Sequence, residues 1–154
     1  MKKKAFTLIE VLVVLVILSI LFIVLVSKVD FSVTQSKEMT VSTDFLAYQL
    51  AIEEVCLEKK DLVADMATLR DNLNIYLEHD LMVEADGGSL KTNKTDPWGT
   101  TYYLEYTRTN NDKGKIIITS AGVDMTFGTE DDLTMSVAYQ NTPYGYKVVK
   151  ESDI

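Results

Sequence analysis

The most distinctive pattern along the chain is an uninterrupted apolar run near its N-terminus. From Val11 to Val26, Ser19 is the one polar residue among aliphatic and aromatic side chains. The wider segment Phe6–Ser27 has one ionisable residue, Glu10, and as an α-helix it would be roughly 33 Å long, enough to span a bilayer core. The lysines at positions 2–4 precede it and mark the cytoplasmic side of a membrane segment. We therefore predict a single-pass anchor in the inner (cytoplasmic) membrane, with the rest of the chain outside the cytoplasm.

Beyond the run, a helical period continues and then gives way to strand-like segments. A stripe with spacings of four and three predicts that the first helix continues and packs on a globular head: Val41, Phe45, Tyr48, Ile52 and Val55. A second helical pattern runs from Leu62 to Leu77, and Ala85–Ser89 is typical of a loop. Three segments have strand patterns, and a fourth is compatible with one: Thr100–Thr107, Lys115–Thr119, Leu133–Tyr139 and Tyr146–Val149. The fold class is thus α+β, with a long N-terminal helix on a small head that holds a short helix and an antiparallel sheet of three or more strands.

Composition limits the size of the protein and the functions open to it. The chain has 154 residues, enough for one modest domain and an anchor. Its formal net charge of −8 argues against broad nucleic-acid binding, which needs clustered basic residues. With one histidine, one cysteine and no phosphate-binding glycine loop, the sequence does not favour an enzyme. Cys56 is most simply a small buried or half-buried apolar residue, and His79 a surface or C-terminal helix residue.

Glu10 is the anomaly of the apolar segment. A cleaved secretory signal would be shorter and end in small residues, and a plain anchor does not explain a carboxylate within the span. If the chain were cut before Phe6, the new α-ammonium group would lie about one helical turn from Glu10. With helices staggered along a filament, the ammonium of one copy could then meet the carboxylate of its neighbour, which would neutralise both charges and fix the axial register.

The residues around this position resemble a known processing signal. The stretch Lys3–Leu12, read as KKAFTLIEVL, looks like the class III signal of type IV pilins, pseudopilins and competence pilins. The resemblance implies that a prepilin peptidase cuts between Ala5 and Phe6 and that Phe6 is N-methylated. It also implies that Glu10 assists assembly. Ala5 departs from the family pattern, which usually has glycine before the cut, so slower processing is expected.

A second unusual segment lies between the second and third predicted strands. The segment Ser120–Asp132 has four acidic residues, all from Asp124 onward, together with two glycines and no lysine or arginine. A solvated acidic loop is the simplest interpretation. The close spacing of the carboxylates instead favours a hard cation such as calcium, which takes six to eight oxygen ligands in flexible geometry. Gly122 and Gly128 would let the backbone wrap and turn its carbonyls inward.

A further resemblance sharpens this interpretation. Asp96–Tyr102, Ser120–Asp124 and Gly128–Asp132 are together similar to the C-terminal region of the major pseudopilins of type II secretion systems. The resemblance implies a structural calcium site in this loop. Its implied ligands are the side chains of Asp124 and Asp131 and the carbonyl of Ala121, with Asp132 and Ser120 as weaker candidates.

The motif at Asp96–Gly99 also has a plain structural interpretation. Proline at the second position and glycine at the fourth suit a type I turn, and Asp96 would cap that turn with its side chain. Trp98 would then pack its ring on the head, against the long helix. We interpret Trp98 as a structural residue.

These interpretations define three regions and a function. Residues 1–5 would be a leader, residues 6–27 the filament-core helix, and residues 28–154 the head with the second half of the long helix. We predict a filament subunit, most like a major pseudopilin, that forms a homopolymer through its N-terminal helix. Its expected partners are the prepilin peptidase, minor pilins or pseudopilins, an assembly platform and the membrane, with no direct nucleic-acid contact. The alternatives are a true type IV pilin or competence pilin, or a monomeric membrane-tethered calcium-binding module.

Overall fold

A computed structural model gives the fold of the chain. The structure describes residues 7–58, 65–77, 82–85, 88–110, 113–143 and 145–153, with the side chains at 27–31, 109–110 and 153 left aside. The chain divides into two compact units, Met1–Lys37 and Glu38–Ile154. The predicted positions of the leader and of His79 lie outside the described residues.

The first unit consists, where it is described, of the beginning of helix α1. This helix has the bounds Leu8–Glu58. Among the described residues, its stretch Leu8–Val26 is the one helical segment long and apolar enough to cross a membrane, with a mean hydropathy of 3.4 and no part buried within the protein. The hydroxyl of Ser19 donates a 2.8 Å hydrogen bond to the carbonyl of Leu15, so the polar residue of the run is satisfied within the helix.

In the second unit, α1 forms one wall of the hydrophobic core. The predicted stripe is confirmed, since each of its five members is at most 8% exposed: Val41, Phe45, Tyr48, Ile52 and Val55. These side chains belong to one core cluster with Tyr102 and Leu104 from the third strand and Ile116 and Ile118 from the fourth. Cys56 is buried beside them, as predicted. The regular spacing of apolar residues on α1 therefore positions the helix against the sheet.

The second helix, α2, is shorter than the helical pattern predicted. It spans Met66–Leu73 and begins at Asp65, whose carboxylate accepts a 2.7 Å hydrogen bond from the N–H of Thr68. It ends because Asn74 exchanges hydrogen bonds with the backbone of Met82, accepting from the N–H at 2.6 Å and donating to the carbonyl at 3.0 Å. The prediction of a helix up to Leu77 was therefore wrong at its C-terminal end, although Leu77 is buried in the core.

The head contains one six-stranded sheet in which each strand pairs antiparallel with the next along the chain. The strands are β1 Met82–Ala85, β2 Ser89–Thr95, β3 Thr101–Asn110, β4 Lys113–Ser120, β5 Leu133–Thr142 and β6 Gly145–Val149. A 3₁₀ helix, Glu151–Asp153, follows. The predicted α+β class with three or more strands is confirmed, and the compatible fourth segment is a strand.

Strands β1 and β2 are the part of the sheet that the pattern did not predict. The segment interpreted as a loop, Ala85–Ser89, joins them, because Ala85 ends β1 and pairs with Ser89 at the start of β2. In β2, Leu90 and Thr92 face the core while the remaining positions carry Lys, Asn, Ser and Thr. A strand with one large apolar side chain shows no clear alternation of apolar and polar positions in the sequence. Its conformation is therefore determined by its pairing with β3.

Candidate assembly segment and acidic loop

Thr7 and Glu10 form the beginning of α1. The hydroxyl oxygen of Thr7 accepts a 3.3 Å hydrogen bond from the N–H of Glu10, and its carbonyl accepts from the same N–H at 3.1 Å. Threonine followed three residues later by glutamate is the capping-box spacing, a helix-start signal that the sequence reasoning missed. Glu10 thus lies in the first turn of α1, where a carboxylate also complements the helix dipole.

The surface that follows Glu10 is apolar on every side. The large side chains of Leu8–Val26 are between 42% and 84% exposed, so nothing within the described protein covers them. Such a surface is stable in lipid or against other apolar helices. Glu10 is the single carboxylate of this stretch. The predicted processing residues, Ala5 and Phe6, lie outside the described residues.

A buried carboxylate, Asp96, fixes the start of the acidic loop, which comprises residues 121–132 between β4 and β5. Its Oδ1 accepts hydrogen bonds of 2.9–3.0 Å from the N–H groups of Trp98, Gly99 and Thr100, which confirms that it caps the predicted turn. Its Oδ2 accepts a 2.7 Å bond from the hydroxyl of Ser120, the last residue of β4. The Ser120 side chain therefore ties the end of β4 to the Asp96 turn. Trp98 is half-buried and packs against the core, as predicted.

Within the acidic loop, Asp124 and Asp131 are brought together. One oxygen of Asp131 accepts a 3.0 Å hydrogen bond from the N–H of Asp124, and the other accepts a 2.7 Å bond from the hydroxyl of Thr129. The bond from Thr129, and after it the one from Asp124, holds the pKa of the Asp131 carboxyl below its usual value. Asp124 in turn accepts a 2.8 Å bond from the N–H of Thr126. Both carboxylates are thus placed by the fold of the loop.

Asp132 closes the loop, and one of its oxygens lacks a hydrogen-bond donor among the described residues. Its Oδ2 accepts a 2.7 Å bond from the N–H of Gly128, whereas its Oδ1 is buried and has no partner in the described part of the chain. A buried acceptor without a donor is costly, and a bound cation would satisfy it. Ala121, the predicted carbonyl ligand, is fully buried at the start of the same loop.

The backbone of the loop turns through residues with positive φ. Gly122 (+65°) and Gly128 (+89°) both adopt this conformation, as expected for residues that allow the chain to wrap. At Gly122 a β-carbon would collide with the carbonyl of Asp131, so glycine is required there for the close approach of the two ends of the loop. Met125 also has a positive φ, of 58°, without being glycine.

These side chains do not form a convergent ligand set by themselves. Across the described ranges, no three Asp, Glu, His or Cys side chains are arranged so as to hold a metal ion. What the loop contains is the Asp124–Asp131 pair, the unpartnered oxygen of Asp132 and backbone carbonyls. Calcium accepts such a mixture of carboxylate, carbonyl and water oxygens, so the donor chemistry fits calcium better than a transition metal.

Comparison with known proteins shows what the N-terminal segment is similar to. Residues 1–26 match the family model described as the prokaryotic N-terminal methylation motif. This match includes the predicted leader, the Thr7–Glu10 start of α1 and the whole apolar stretch up to Val26. Together with the α+β head, it confirms the resemblance to type IV pilins and pseudopilins that the sequence predicted.

Comparison of the whole sequence finds one particular relative. The chain is 28% identical, over 141 residues, to the type II secretion system core protein G of Aeromonas hydrophila. The aligned region covers 86% of this chain and 91% of that protein, so the similarity extends through the head as well as the anchor. The likeness to a major pseudopilin predicted from the sequence is therefore confirmed. No solved structure matches the chain.

Proposed function

We propose that this chain is a major pseudopilin, the principal subunit of a helical filament that drives protein export by a type II secretion system. The observation that carries the proposal is the exposed apolar helix Leu8–Val26 with Glu10 in its first turn. Such a surface needs lipid before assembly and other copies of the same helix after it. The similarity to core protein G along most of both chains supports the secretion system as the setting.

Processing would come before assembly. The match to the methylation motif supports cleavage between Ala5 and Phe6 and methylation of the new N-terminus. The positive charge released at Phe6 would then be available to the Glu10 carboxylate of a neighbouring copy. Mass spectrometry of assembled material is expected to show N-methylated Phe6, and a Met1 leader retained in filaments would contradict this order of events.

The experiment that tests the proposal separates the charge of Glu10 from the length of its side chain. Glu10→Ala removes both, whereas Glu10→Gln removes the charge and keeps the length. If ion pairing drives assembly, both variants should remain in the membrane fraction and both should lose filaments in electron micrographs of sheared material. Normal filaments from Glu10→Gln would show that the charge is not needed and would refute the ion pair. Ser19→Ala, which changes the other polar residue of the stretch, is the matched control and should assemble normally.

We also propose that the acidic loop binds a structural calcium ion. The unpartnered oxygen of Asp132 supports this assignment, as does the carboxylate of Asp131, which the N–H of Asp124 holds within the loop. The carbonyl of Ala121 would complete the set, together with water. The ion would hold the two ends of the loop together, and its role would be structural, in keeping with a subunit that performs no catalysis.

A further inference from the structure

A cleft lies on the face of the sheet that is turned away from the core. Leu104 and Ile118 point from β3 and β4 into the core, so the residues next to them along these strands point to the opposite face. Three residues of this face and three of the acidic loop line the cleft, and we call them the sheet cleft: Tyr103, Glu105, Thr119, Phe127, Gly128 and Asp132. Its volume of about 530 Å³ is in the range of ligand-binding clefts, so it accommodates a whole side chain.

Two aromatic rings form part of the sheet cleft. The ring of Phe127 lies 5.3 Å from the ring of Tyr103, centre to centre, and the two planes are inclined by 48°. Phe127 is nevertheless 41% exposed, because it belongs to a loop that no described element covers. The face of an aromatic ring carries partial negative charge, so an exposed ring at a cleft attracts a cation as well as apolar groups.

Two carboxylates line the same cleft. Glu105 is exposed on β3, and its carboxylate has no hydrogen bond or ion pair within the described part of the chain. Asp132 accepts the N–H of Gly128 with one oxygen, and its other oxygen is buried without a described partner. Among the described residues that line the cleft, none is basic. The cleft is therefore negatively charged.

The basic residues beside the sheet cleft do not neutralise it. Lys91 on β2 pairs with Tyr103 across the sheet, but it does not line the cleft, and no ion pair joins it to Glu105 within the described ranges. Lys115 on β4 forms a 3.1 Å ion pair with Glu151 instead. The charge of the cleft is thus left for a group from outside the chain.

We propose that the sheet cleft binds an arginine side chain of another protein. The planar guanidinium group stacks on aromatic rings and forms paired hydrogen bonds with carboxylates, and the cleft offers both kinds of surface. The methylene stem of the arginine would pack against Phe127 and Tyr103 while its charged end reached Glu105 or Asp132. The inference goes beyond the proposed function, since it assigns a binding site to the sheet and does not depend on the N-terminal helix.

A side chain fits the sheet cleft better than a free small cation does. A small cation would neutralise the carboxylates but would leave the exposed ring of Phe127 uncovered. The proposed calcium ion is also a different ligand, because Asp124, Asp131 and Ala121 do not line the cleft. Asp132 is the one residue that the two proposed sites share.

A titration of the full-length chain in detergent tests the proposal. The probe is N-acetyl-arginine amide, and N-acetyl-citrulline amide is the matched control, with nearly the same shape and no charge. The arginine probe should shift the amide resonances of Thr119 and Gly128 in a saturable way and bind about tenfold more tightly than the control, as a charge-assisted contact requires. Equal binding of the two probes, or no shift at these residues, would overturn the inference.

Substitutions show whether the cleft itself holds the probe. Glu105→Gln and Phe127→Leu should each weaken binding about threefold or more. Both residues are exposed, so the melting temperature should stay within about 3 °C of the parent. Glu130→Gln is the matched control, since Glu130 is an exposed acid of the same loop that does not line the cleft, and it should bind normally. Equal weakening by Glu130→Gln would mean that the net charge alone attracts the probe, and it would refute the site.

Two further titrations separate the arginine side chain from other cations. Guanidinium chloride at non-denaturing concentrations lacks the methylene stem and should bind about tenfold more weakly than the arginine probe. Equal affinity would assign the cleft to a free small cation and overturn the side-chain assignment. The shifts caused by the arginine probe should persist in millimolar calcium, because Glu105 and both rings remain available. Loss of these shifts in calcium would show that the probe had occupied the calcium site and would refute the inference.

The inference and the proposed function fail in different ways. The titrations use single solubilised subunits, so their outcome does not depend on whether filaments form. An absence of probe binding together with normal filaments from the parent chain would refute the sheet cleft and leave the proposed function intact. Probe binding by a parent chain that does not assemble would retain the cleft and remove the filament.

Discussion

The hydroxyl of Tyr102 on β3 donates a 2.6 Å hydrogen bond to the carboxylate of Asp44 on α1. Asp44 is 7% exposed and Tyr102 is fully buried. The second carboxylate oxygen of Asp44 forms a 2.6 Å ion pair with the ammonium group of Lys94 on β2. One buried acid thus links the helix to two strands, and its need for both donors fixes the register of α1 on the sheet.

Removing the tyrosine hydroxyl should destabilise the head. Tyr102→Phe leaves one buried oxygen of Asp44 without a donor, and we expect the free energy of unfolding to fall by about 1–3 kcal/mol. Tyr106→Phe is the matched control, because Tyr106 lies on the same strand and is only partly buried; its change should stay within about 0.5 kcal/mol. Urea unfolding of the solubilised full-length chain measures both values. Equal effects of the two substitutions would contradict the special role of the Asp44 bond.

Calcium should stabilise the head through Asp132. We expect millimolar calcium to raise the melting temperature of the parent chain and Asp132→Asn to abolish most of that rise, because the substitution removes the charge of the unpartnered acceptor. Glu130→Gln removes the same charge from a neighbouring exposed position of the loop and should retain the shift. If the parent chain has the same melting temperature in calcium and in a chelator, the loop does not bind calcium and is simply a solvated acidic loop.

Replacing Met125 by glycine should stabilise the acidic loop. At a φ of 58°, a residue with a β-carbon is strained by about 1–2 kcal/mol. Glycine relieves the strain but loses more conformational entropy on folding, about 0.5–1 kcal/mol. We therefore expect a net gain of about 0.5–1 kcal/mol in the free energy of unfolding, measured by urea denaturation. Met125→Ala keeps the strain and should give no gain; a gain as large as that from glycine would point to the side chain instead of the backbone.

The thiol of Cys56 should be unreactive in the folded head. Burial, and secondarily the nearby charge of Glu53, raises the pKa of Cys56 to about 12 from its ordinary value of 9.0. The folded thiol therefore stays protonated between pH 9 and 12 while the unfolded one ionises, so stability falls as the pH rises through this interval. Cys56→Ala should lose less stability than the parent from pH 8.5 to 10.5. Rapid labelling of the folded parent by iodoacetamide at pH 8.5 would contradict the burial of this thiol.

The parts of the fold that could be predicted are those with a regular apolar period. The spacing from Val41 to Val55 determined the core face of α1, and the β-branched run in β4 determined a central strand. Strand β2 could not be found in the same way, since its conformation depends on its neighbours. The end of α2 at Leu73 depends on the bonds of Asn74 to Met82, a contact between residues eight positions apart that propensity does not encode.

In the candidate site, too, features set by the local sequence could be predicted, and contacts between distant residues could not. The capping role of Asp96 follows from the local turn sequence, but its bond to Ser120 joins residues 24 positions apart and exists only in the folded head. The cap by Thr7 had a signal in the sequence, the T-x-x-E motif that ends at Glu10. The unpartnered oxygen of Asp132 had no sequence signal, because nothing in the order of residues tells which carboxylate oxygen receives the N–H of Gly128.

The order of the strands in space equals their order in the chain, from β1 to β6. Four of the five hairpins close through loops of at most five residues, and only the acidic loop between β4 and β5 is longer, so little entropy is lost before most of the hydrogen bonds form. If the head is translocated as the proposed function requires, each strand would pair with the strand that emerged before it. The order of the strands would then suit folding that proceeds from the N-terminus, with the sheet growing at one edge.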